Sequence, residues 1–179
     1  MKYGLALLLA LPILARAECS PLLQYQHPRL GNGEVVDFCR EFAGKVILAV
    51  NTASRCGYTP QFAELESLYQ RYRSQGLVVV GFPSNDFRQE YADAEKTAKL
   101  CYVNYGVSFT MLESSAVTGA DANGFFRSLV HSGAEQPSWN FSKYLIDHRG
   151  SYVTKFAPGI APESDIVAEN IEALLKARP

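Results

Sequence analysis

The sequence predicts an α/β domain in which helices flank a central mixed β-sheet. Residues 46–50 and 77–82 are short apolar runs, and this pattern is typical of buried strands. Between them, apolar residues recur at helical spacing: Phe62, Leu65, Leu68, Tyr69 and Tyr72. A strand, a helix and a strand in this order form a βαβ unit whose two strands are parallel neighbours.

The remaining elements complete a thioredoxin-like fold with an N-terminal β-hairpin. The Asn32-Gly33 dipeptide lies between extended segments and predicts the hairpin, and a turn at Gly150 predicts a second hairpin, 144–156. Helical patterns cover 92–102, 123–131 and a last segment that begins at Pro162. The order ββ, βαβ, α, α, ββ, α fits a thioredoxin-like sheet with helices on both faces.

The first 17 residues have the three parts of a secretory signal peptide. Lys2 precedes an apolar stretch, 5–15, and Ala15-Arg16-Ala17 matches a cleavage site. The apolar stretch is too short to span a bilayer. We therefore expect an exported protein, periplasmic or secreted, whose mature chain is a single domain over residues 18–179.

Length and charge narrow the possible partners. The mature chain would have 162 of the 179 residues, which is enough for one domain with a substantial core. Cleavage leaves 15 basic against 18 acidic residues, so the formal charge is −3. Because no basic stripe is present, nucleic acid is not an expected partner. A second apolar span is missing, so no stable membrane insertion is expected after cleavage.

Four cysteines remain in the mature chain, and they allow three pairings. Export to an oxidising compartment favours disulfide formation. Cys19 and Cys39 bracket the predicted hairpin, and we interpret them as a structural disulfide. Closing a loop of about 20 residues is worth roughly 3 kcal/mol in the chain-entropy model. Cys56 and Cys101 are the other two.

Cys56 lies between the carboxyl end of a predicted strand and the first turn of a predicted helix. Thr59 followed by Pro60 is a favourable N-cap and N1 pair for that helix. The unpaired N–H groups and positive dipole end of a helix favour a thiolate, and Arg55 adds a neighbouring cation. A reactive thiol is therefore one interpretation of Cys56. The alternative is a small buried apolar side chain, which is what most free cysteines are.

Three blocks of sequence resemble the glutathione peroxidase family in its cysteine-containing, exported bacterial form. They are Asn51-Thr-Ala-Ser-Arg-Cys-Gly57, Gly81-Phe-Pro-Ser-Asn-Asp-Phe-Arg-Gln-Glu90 and Trp139-Asn-Phe-Ser-Lys-Tyr-Leu-Ile-Asp147. The blocks occur in the order found in that family, and the resemblance extends over about residues 20–175. It implies a peroxidase with Cys56 at the reactive position.

The resemblance also implies three helper residues, Gln89, Trp139 and Asn140. Each carries an uncharged N–H donor that could stabilise a thiolate and orient a peroxide oxygen. Without the resemblance, core packing and local loop hydrogen bonds would explain all three. The second block departs from the family pattern at Ser84, Asp86 and Tyr91, and the glycine that usually follows Phe87 is missing. One residue fewer in this loop could displace Gln89 from Cys56.

The implied reaction is thiol peroxidation of hydrogen peroxide or an organic hydroperoxide. Cys56 would become a sulfenic acid, and Cys101 stands where relatives that resemble thioredoxin-dependent peroxidases carry a resolving cysteine. A thioredoxin-like dithiol protein or glutathione would then restore the thiols. No cofactor is implied, and His27, His131 and His148 are too scattered to suggest a metal site. A short loop before Trp139 favours a monomer, because tetrameric family members carry an insertion there.

Two other functions remain open at this stage. A thiol–disulfide oxidoreductase would place a second cysteine three residues after the first, but Thr59 occupies that position after Cys56. A non-catalytic secreted binding domain of the same fold is the second alternative, because a fold does not determine a function.

Overall fold

Seven strands form two sheets in this computed structural model, which describes residues 19–178. The predicted signal peptide, 1–17, lies outside the described residues. The strands are β1 (Gln26–Pro28), β2 (Val35–Asp37), β3 (Val46–Thr52), β4 (Leu77–Pro83), β5 (Thr110–Met111), β6 (Lys143–Ile146) and β7 (Tyr152–Phe156). Strands β1 and β2 pair as an antiparallel hairpin, and the other five form a sheet in the order β5-β4-β3-β6-β7.

The larger sheet is mixed, as a thioredoxin-like fold requires. Strand β4 runs parallel to both β3 and β5, whereas β6 runs antiparallel to β3 and β7. All seven residues of β3 are buried, which explains why its sequence is continuously apolar up to Val50. In the β3–β4 register Thr52 lies beside Pro83, so the loops that follow the two strands start from adjacent points.

Four of the five helices that the structure describes lie close to the predicted positions. The helices are α1 (Phe38–Phe42), α2 (Gln61–Tyr72), α3 (Ala94–Ala98), α4 (Gly124–His131) and α5 (Asp165–Lys176). Helix α1 was not predicted. Helix α3 starts two residues later than predicted and continues as a π-helical turn, Lys99–Asn104. Helix α5 starts at Asp165 instead of Pro162, because Ser164 still has an extended backbone. None of the helices in residues 19–178 is both long enough and apolar enough to cross a bilayer.

Two apolar clusters cover the two faces of the sheet. On one face, residues of α2 and α5 pack on β3, including Phe62, Leu65, Leu68, Val167 and Ile171. On the other face, aromatic residues of α1, α4 and the strands pack together, including Phe38, Phe82, Phe125, Phe126 and Tyr144. The predicted layering of helices on both faces is therefore confirmed.

A disulfide joins Cys19 to Cys39, with 5.8 Å between their Cα atoms. It connects the segment before the β1–β2 hairpin to α1, which follows the hairpin. Cys56 and Cys101 are free thiols, and both are buried. The structural pair and the two unpaired cysteines thus belong to different parts of the fold.

Candidate active site

Cys56 lies in the loop between the end of β3 at Thr52 and the start of α2 at Gln61. The backbone N–H of Tyr58 donates a hydrogen bond to Cys56 Sγ at 3.4 Å. Only 7% of Cys56 is exposed, although Gly57 and Tyr58 beside it are exposed. The sulfur is therefore held just below the surface, with a backbone N–H donor aimed at it.

Thr59 holds this loop in shape, and the prediction that it caps α2 is wrong. Its hydroxyl oxygen accepts from the backbone N–H of Cys56 at 3.0 Å and donates to the carbonyl of Ala53 at 2.9 Å. The residue that precedes α2 is Pro60, which makes no side-chain cap. Because both bonds of the Thr59 hydroxyl point back toward Cys56, the threonine braces the thiol-bearing turn. The sequence analysis did not assign it this role.

The Arg55 side chain contacts the loop that follows β4. Its Nη2 atom donates to the backbone carbonyl of Glu90 at 3.2 Å, and its guanidinium carbon lies 5.6 Å from the Tyr91 ring centroid. The backbone N–H of Arg55 donates to the carbonyl of Gln89 at 2.8 Å. Arg55 thus attaches the loop after β4 to the loop that carries Cys56.

Gln89 remains at the site despite the shortened loop. Its backbone carbonyl accepts from the N–H of Arg55, and its side-chain Oε1 accepts from Asn140 Nδ2 at 2.9 Å. Arg88, at the position next to it, has a φ of 58°, in the left-handed region that a glycine adopts readily. Arg88 thus has a strained backbone in the loop that carries Gln89 to Asn140.

Trp139 and Asn140 are held against the end of β3. Asn51, in β3, donates from Nδ2 to the Trp139 carbonyl at 3.1 Å. The carbonyl of Asn51 accepts from the backbone N–H of Phe141, whose φ is 65°. Asn140 is completely buried, whereas Trp139 is 41% exposed and its ring centroid lies 5.1 Å from that of Phe87. The strand that leads to Cys56 therefore also fixes the Trp139–Asn140 pair.

Asn140 has a buried acceptor that nothing uses in the described chain. Within residues 19–178, its Oδ1 atom has no hydrogen-bond partner. Buried polar atoms are nearly always paired, and an exception at a site points to a ligand or water. Asn140 Nδ2 already donates to Gln89 Oε1, whereas Asn140 Oδ1 is free to accept from a bound molecule.

Cys101 lies in the π-helical turn Lys99–Asn104 and is completely buried. Burial, helped by the negative charge of Glu90, raises the pKa of the Cys101 thiol to about 12. Cys56 and Cys101 belong to the same apolar cluster on one face of the sheet, yet they are not bonded. Cys101 is therefore a neutral, covered thiol in this conformation.

Glu90 is a second residue that the sequence analysis did not assign. Its side chain is only 2% exposed, and its Oε1 atom accepts from the Ser54 hydroxyl, from the Thr97 hydroxyl at 2.9 Å and from the Tyr91 N–H at 2.7 Å. A glutamate in a polar loop is usually exposed, so no sequence signal marks its burial. The carboxylate joins the Cys56 loop to α3.

Lys143 is the third unassigned residue, and it is completely buried in β6. Its Nζ atom donates to the carbonyls of Pro158 and Ile160 at 3.1 and 2.7 Å. The Pro158 carbonyl also accepts from Gln61 Nε2 at 2.8 Å, at the start of α2. Burial lowers the pKa of Lys143 to about 8, against the opposing effect of Glu64. Lys143 anchors the 157–160 turn beside the first residue of α2.

These features define a thiol-dependent redox enzyme of thioredoxin-like fold. A cysteine with a backbone donor on its sulfur lies at the carboxyl edge of the parallel strands, where reacting groups collect in α/β folds. Among residues 19–178, no group of three or more His, Cys, Asp or Glu residues could hold a metal ion.

Comparison with known proteins identifies the family. The glutathione peroxidase family model matches residues 24–130. A glutathione peroxidase of Lactococcus lactis is 42% identical over 149 residues, which cover 80% of this chain and 93% of the relative. A glutathione peroxidase-like peroxiredoxin, GPX5 of Chlamydomonas reinhardtii, is 43% identical over 143 residues, covering 77% of this chain and 87% of the relative.

A solved structure agrees with these relatives. The crystal structure of Trgpx in its apo form superposes with a TM-score of 0.70 at 30% identity, covering 90% of this chain and 99% of that one. The chain belongs to the glutathione peroxidase family, and it is a thiol peroxidase.

Proposed function

We propose that Cys56 is the residue that reduces the peroxide. Its thiolate attacks one oxygen of a hydroperoxide, the O–O bond breaks, and water or an alcohol leaves after taking up a proton. Cys56 becomes a sulfenic acid. The observation that carries this proposal is the Tyr58 N–H bond to Cys56 Sγ, in a loop that is hydrogen-bonded to Gln89.

Gln89, Trp139 and Asn140 supply the polar surroundings for this step. Because Gln89 Oε1 is occupied by Asn140, the amide N–H groups of Gln89 are left to donate to the thiolate or the peroxide. The half-exposed indole of Trp139 offers a further N–H donor. Donors fixed before the reaction stabilise developing negative charge on the leaving oxygen without reorganising.

Cys101 completes the oxidative half of the cycle. Its sulfur attacks the Cys56 sulfenic sulfur, the S–O bond breaks, and the hydroxyl group leaves as water with the proton of the Cys101 thiol. The product is an intramolecular disulfide. A thioredoxin-like dithiol protein is the reductant that suits such a disulfide, because a dithiol can exchange twice and leave both cysteines reduced. Glutathione is the alternative thiol co-substrate.

Export and a monomeric state belong to the same proposal. The Cys19–Cys39 disulfide supports export, since structural disulfides form and persist in oxidising compartments. Determination of the N-terminus of the protein recovered from the periplasm or the medium should give Glu18 as the first residue. An intact Met1 on cell-associated protein would contradict export. Sedimentation of the mature protein tests whether it is a monomer.

The deciding experiment is mass spectrometry of the reduced mature protein after one equivalent of hydrogen peroxide. We expect a peptide linked through Cys56 and Cys101 in the wild type. Cys101→Ser should accumulate oxidised Cys56, and Cys56→Ser should consume no peroxide. Peroxide consumption by Cys56→Ser at the wild-type rate would overturn the assignment of the reacting sulfur.

A turnover assay distinguishes the two candidate reductants, a thioredoxin-like dithiol protein and glutathione. Rapid turnover of Cys101→Ser with glutathione alone would exclude an obligatory Cys56–Cys101 disulfide. An insulin-reduction assay tests the thiol–disulfide oxidoreductase alternative. We expect slow reduction, because Thr59 stands where such enzymes carry the second cysteine of their motif and is committed to bracing the loop.

A further inference from the structure

The carboxylate of Glu90 lies between the two elements that carry the free cysteines. Ser54, which precedes Cys56 by two residues, donates its hydroxyl to Glu90 Oε1. Thr97, in α3, donates its hydroxyl to the same oxygen at 2.9 Å. Both donors are buried, so these bonds form away from competing water. One oxygen atom thus connects the Cys56 loop to the helix that leads to Cys101.

Thr97 and Cys101 lie on the same side of their helical segment. They are four residues apart, which places them one turn from each other, and both are buried. The outer side of the segment is exposed, with Val103 at 72%. The turn around Cys101 is π-helical, and such turns are frequent at functional sites. The segment is therefore held to the protein mainly along its Thr97–Cys101 side.

Cys101 is covered and its thiol is neutral in the conformation described here, and it is not bonded to Cys56. Because a thiol reacts as its thiolate, movement of the 94–104 segment that uncovers Cys101 would favour its attack on Cys56. Two side-chain bonds resist this movement. One joins Thr97 to Glu90, and the other joins the Tyr102 hydroxyl to the Leu30 carbonyl at 3.0 Å.

We propose that Glu90 is a positioning residue whose bond to Thr97 holds the Cys101 segment closed and so sets the rate of disulfide formation. The proposal rests on the proposed function, in which Cys101 attacks the sulfenic acid of Cys56 and water leaves. A closed segment delays that attack. During the delay, a second peroxide oxidises the sulfenic acid to a sulfinic acid, with its own O–O bond broken and water or an alcohol released.

The strength of the Thr97–Glu90 bond determines how much of the sulfenic acid becomes the Cys56–Cys101 disulfide and how much becomes the sulfinic acid. A weaker bond raises the fraction of time that the segment is open and therefore accelerates disulfide formation. A stronger bond favours the sulfinic acid at high peroxide concentrations. Glu90 changes the ratio of disulfide to sulfinic acid through its bond to Thr97. It does not take part in the reaction of Cys56 with the first peroxide.

The test compares Thr97→Val with Thr97→Ser. The valine keeps the shape of threonine but removes the hydroxyl donor to Glu90, whereas the serine keeps the donor. We expect Thr97→Val to form the Cys56–Cys101 disulfide about tenfold faster, since a lost hydrogen bond to a charged acceptor has an effect of this order. The peroxide concentration that converts half of Cys56 to sulfinic acid should rise by a similar factor. Thr97→Ser should behave as the wild type.

Hydrogen exchange of the reduced protein gives a second readout. Backbone amides of the 98–105 segment should exchange faster in Thr97→Val and at the wild-type rate in Thr97→Ser, while amides of β3 stay unchanged. A normal rate of the first peroxide reaction in both variants shows that the site of Cys56 is intact.

The outcomes separate this proposal from the proposed function. Wild-type protein that never links Cys56 to Cys101 overturns the resolving role of Cys101, and the role of Glu90 with it. A wild-type disulfide combined with equal resolution rates in Thr97→Val and the wild type overturns the role of Glu90 alone. Equal acceleration in the valine and serine variants also overturns it, because the effect would then not depend on the hydroxyl group.

Discussion

Asn140 donates its side-chain amide to the side-chain carbonyl of Gln89 at 2.9 Å. The bond joins the loop after β4 to the segment that enters β6. The first of these also bonds to Arg55, between β3 and α2, and the second bonds to Asn51 in β3. The Asn140–Gln89 bond therefore fixes which end of the Gln89 amide remains free. The donor end is the one that the proposed reaction needs, because N–H donors stabilise negative charge.

Replacement of Asn140 by alanine should lower kcat/KM for peroxide by about 10²- to 10³-fold, the usual effect of losing one preorganised donor from an active site. The donor lost is Gln89, which Asn140 would no longer orient, and the Asn140 Oδ1 acceptor would be removed as well. Steady-state kinetics with hydrogen peroxide measures the change. Asn170→Ala is a matched control, because within residues 19–178 the Asn170 side chain bonds only to the carbonyl of Ile166 in its own helix. A wild-type kcat/KM in Asn140→Ala would contradict the assignment.

Removal of the Cys19–Cys39 disulfide should destabilise the protein without changing its reaction. The bond closes a loop with a sequence separation of 20. The double replacement Cys19→Ser and Cys39→Ser is expected to lower the free energy of unfolding by roughly 3 kcal/mol. Urea denaturation of the two proteins measures this difference. Peroxidase activity at low temperature should be retained, and its loss in a folded variant would mean that this pair takes part in the cycle.

The positive φ of Arg88 leads to a specific prediction about the shortened loop. Its φ of 58° is tolerated by glycine and is unfavourable for β-branched residues. Arg88→Val should lower the free energy of unfolding by about 1–2 kcal/mol and reduce turnover, because the strained loop carries Gln89. Arg88→Gly should be as active as the wild type. Equal activity in the valine and glycine variants would show that the loop accommodates either conformation.

Lys143 should make stability depend on pH in a defined range. Burial lowers its pKa from 10.5 to about 8 in the folded protein. Between these values the unfolded chain binds a proton that the folded chain does not, so the free energy of unfolding rises with pH. Below about 8 both states are protonated and this contribution is flat. The unfolding free energy of the wild type minus that of Lys143→Met should therefore increase as the pH rises from about 8 to 10.5.

Urea titrations of the two proteins at pH 7, 8, 9 and 10 measure the Lys143 contribution. The comparison with the variant removes the contributions of Cys101 and the buried tyrosines, which titrate at alkaline pH in both proteins. A constant difference across the series would show that Lys143 keeps its ordinary pKa in the fold.

Local sequence patterns were sufficient for most of the secondary structure and for the choice of Cys56 as the candidate reacting thiol. The apolar runs of β3 and β4 and the helical spacing of α2 determine a βαβ unit by themselves, because a buried parallel strand needs a continuous apolar sequence. Cys56 follows from its position in that unit together with the three sequence blocks. The Asn32-Gly33 dipeptide likewise predicts a turn between two extended segments, and it lies in the 29–34 connection between β1 and β2.

Tertiary structure alone decided the partners of the polar side chains. Thr59 has the sequence position of a helix cap, yet its hydroxyl finds closer partners at Cys56 and Ala53. Glu90 and Lys143 are residue types expected at the surface, and only the packing of distant segments buries them and supplies their hydrogen bonds. Periodicity along a chain records which residues avoid water, but the partner of a buried polar group is set by segments far away in sequence.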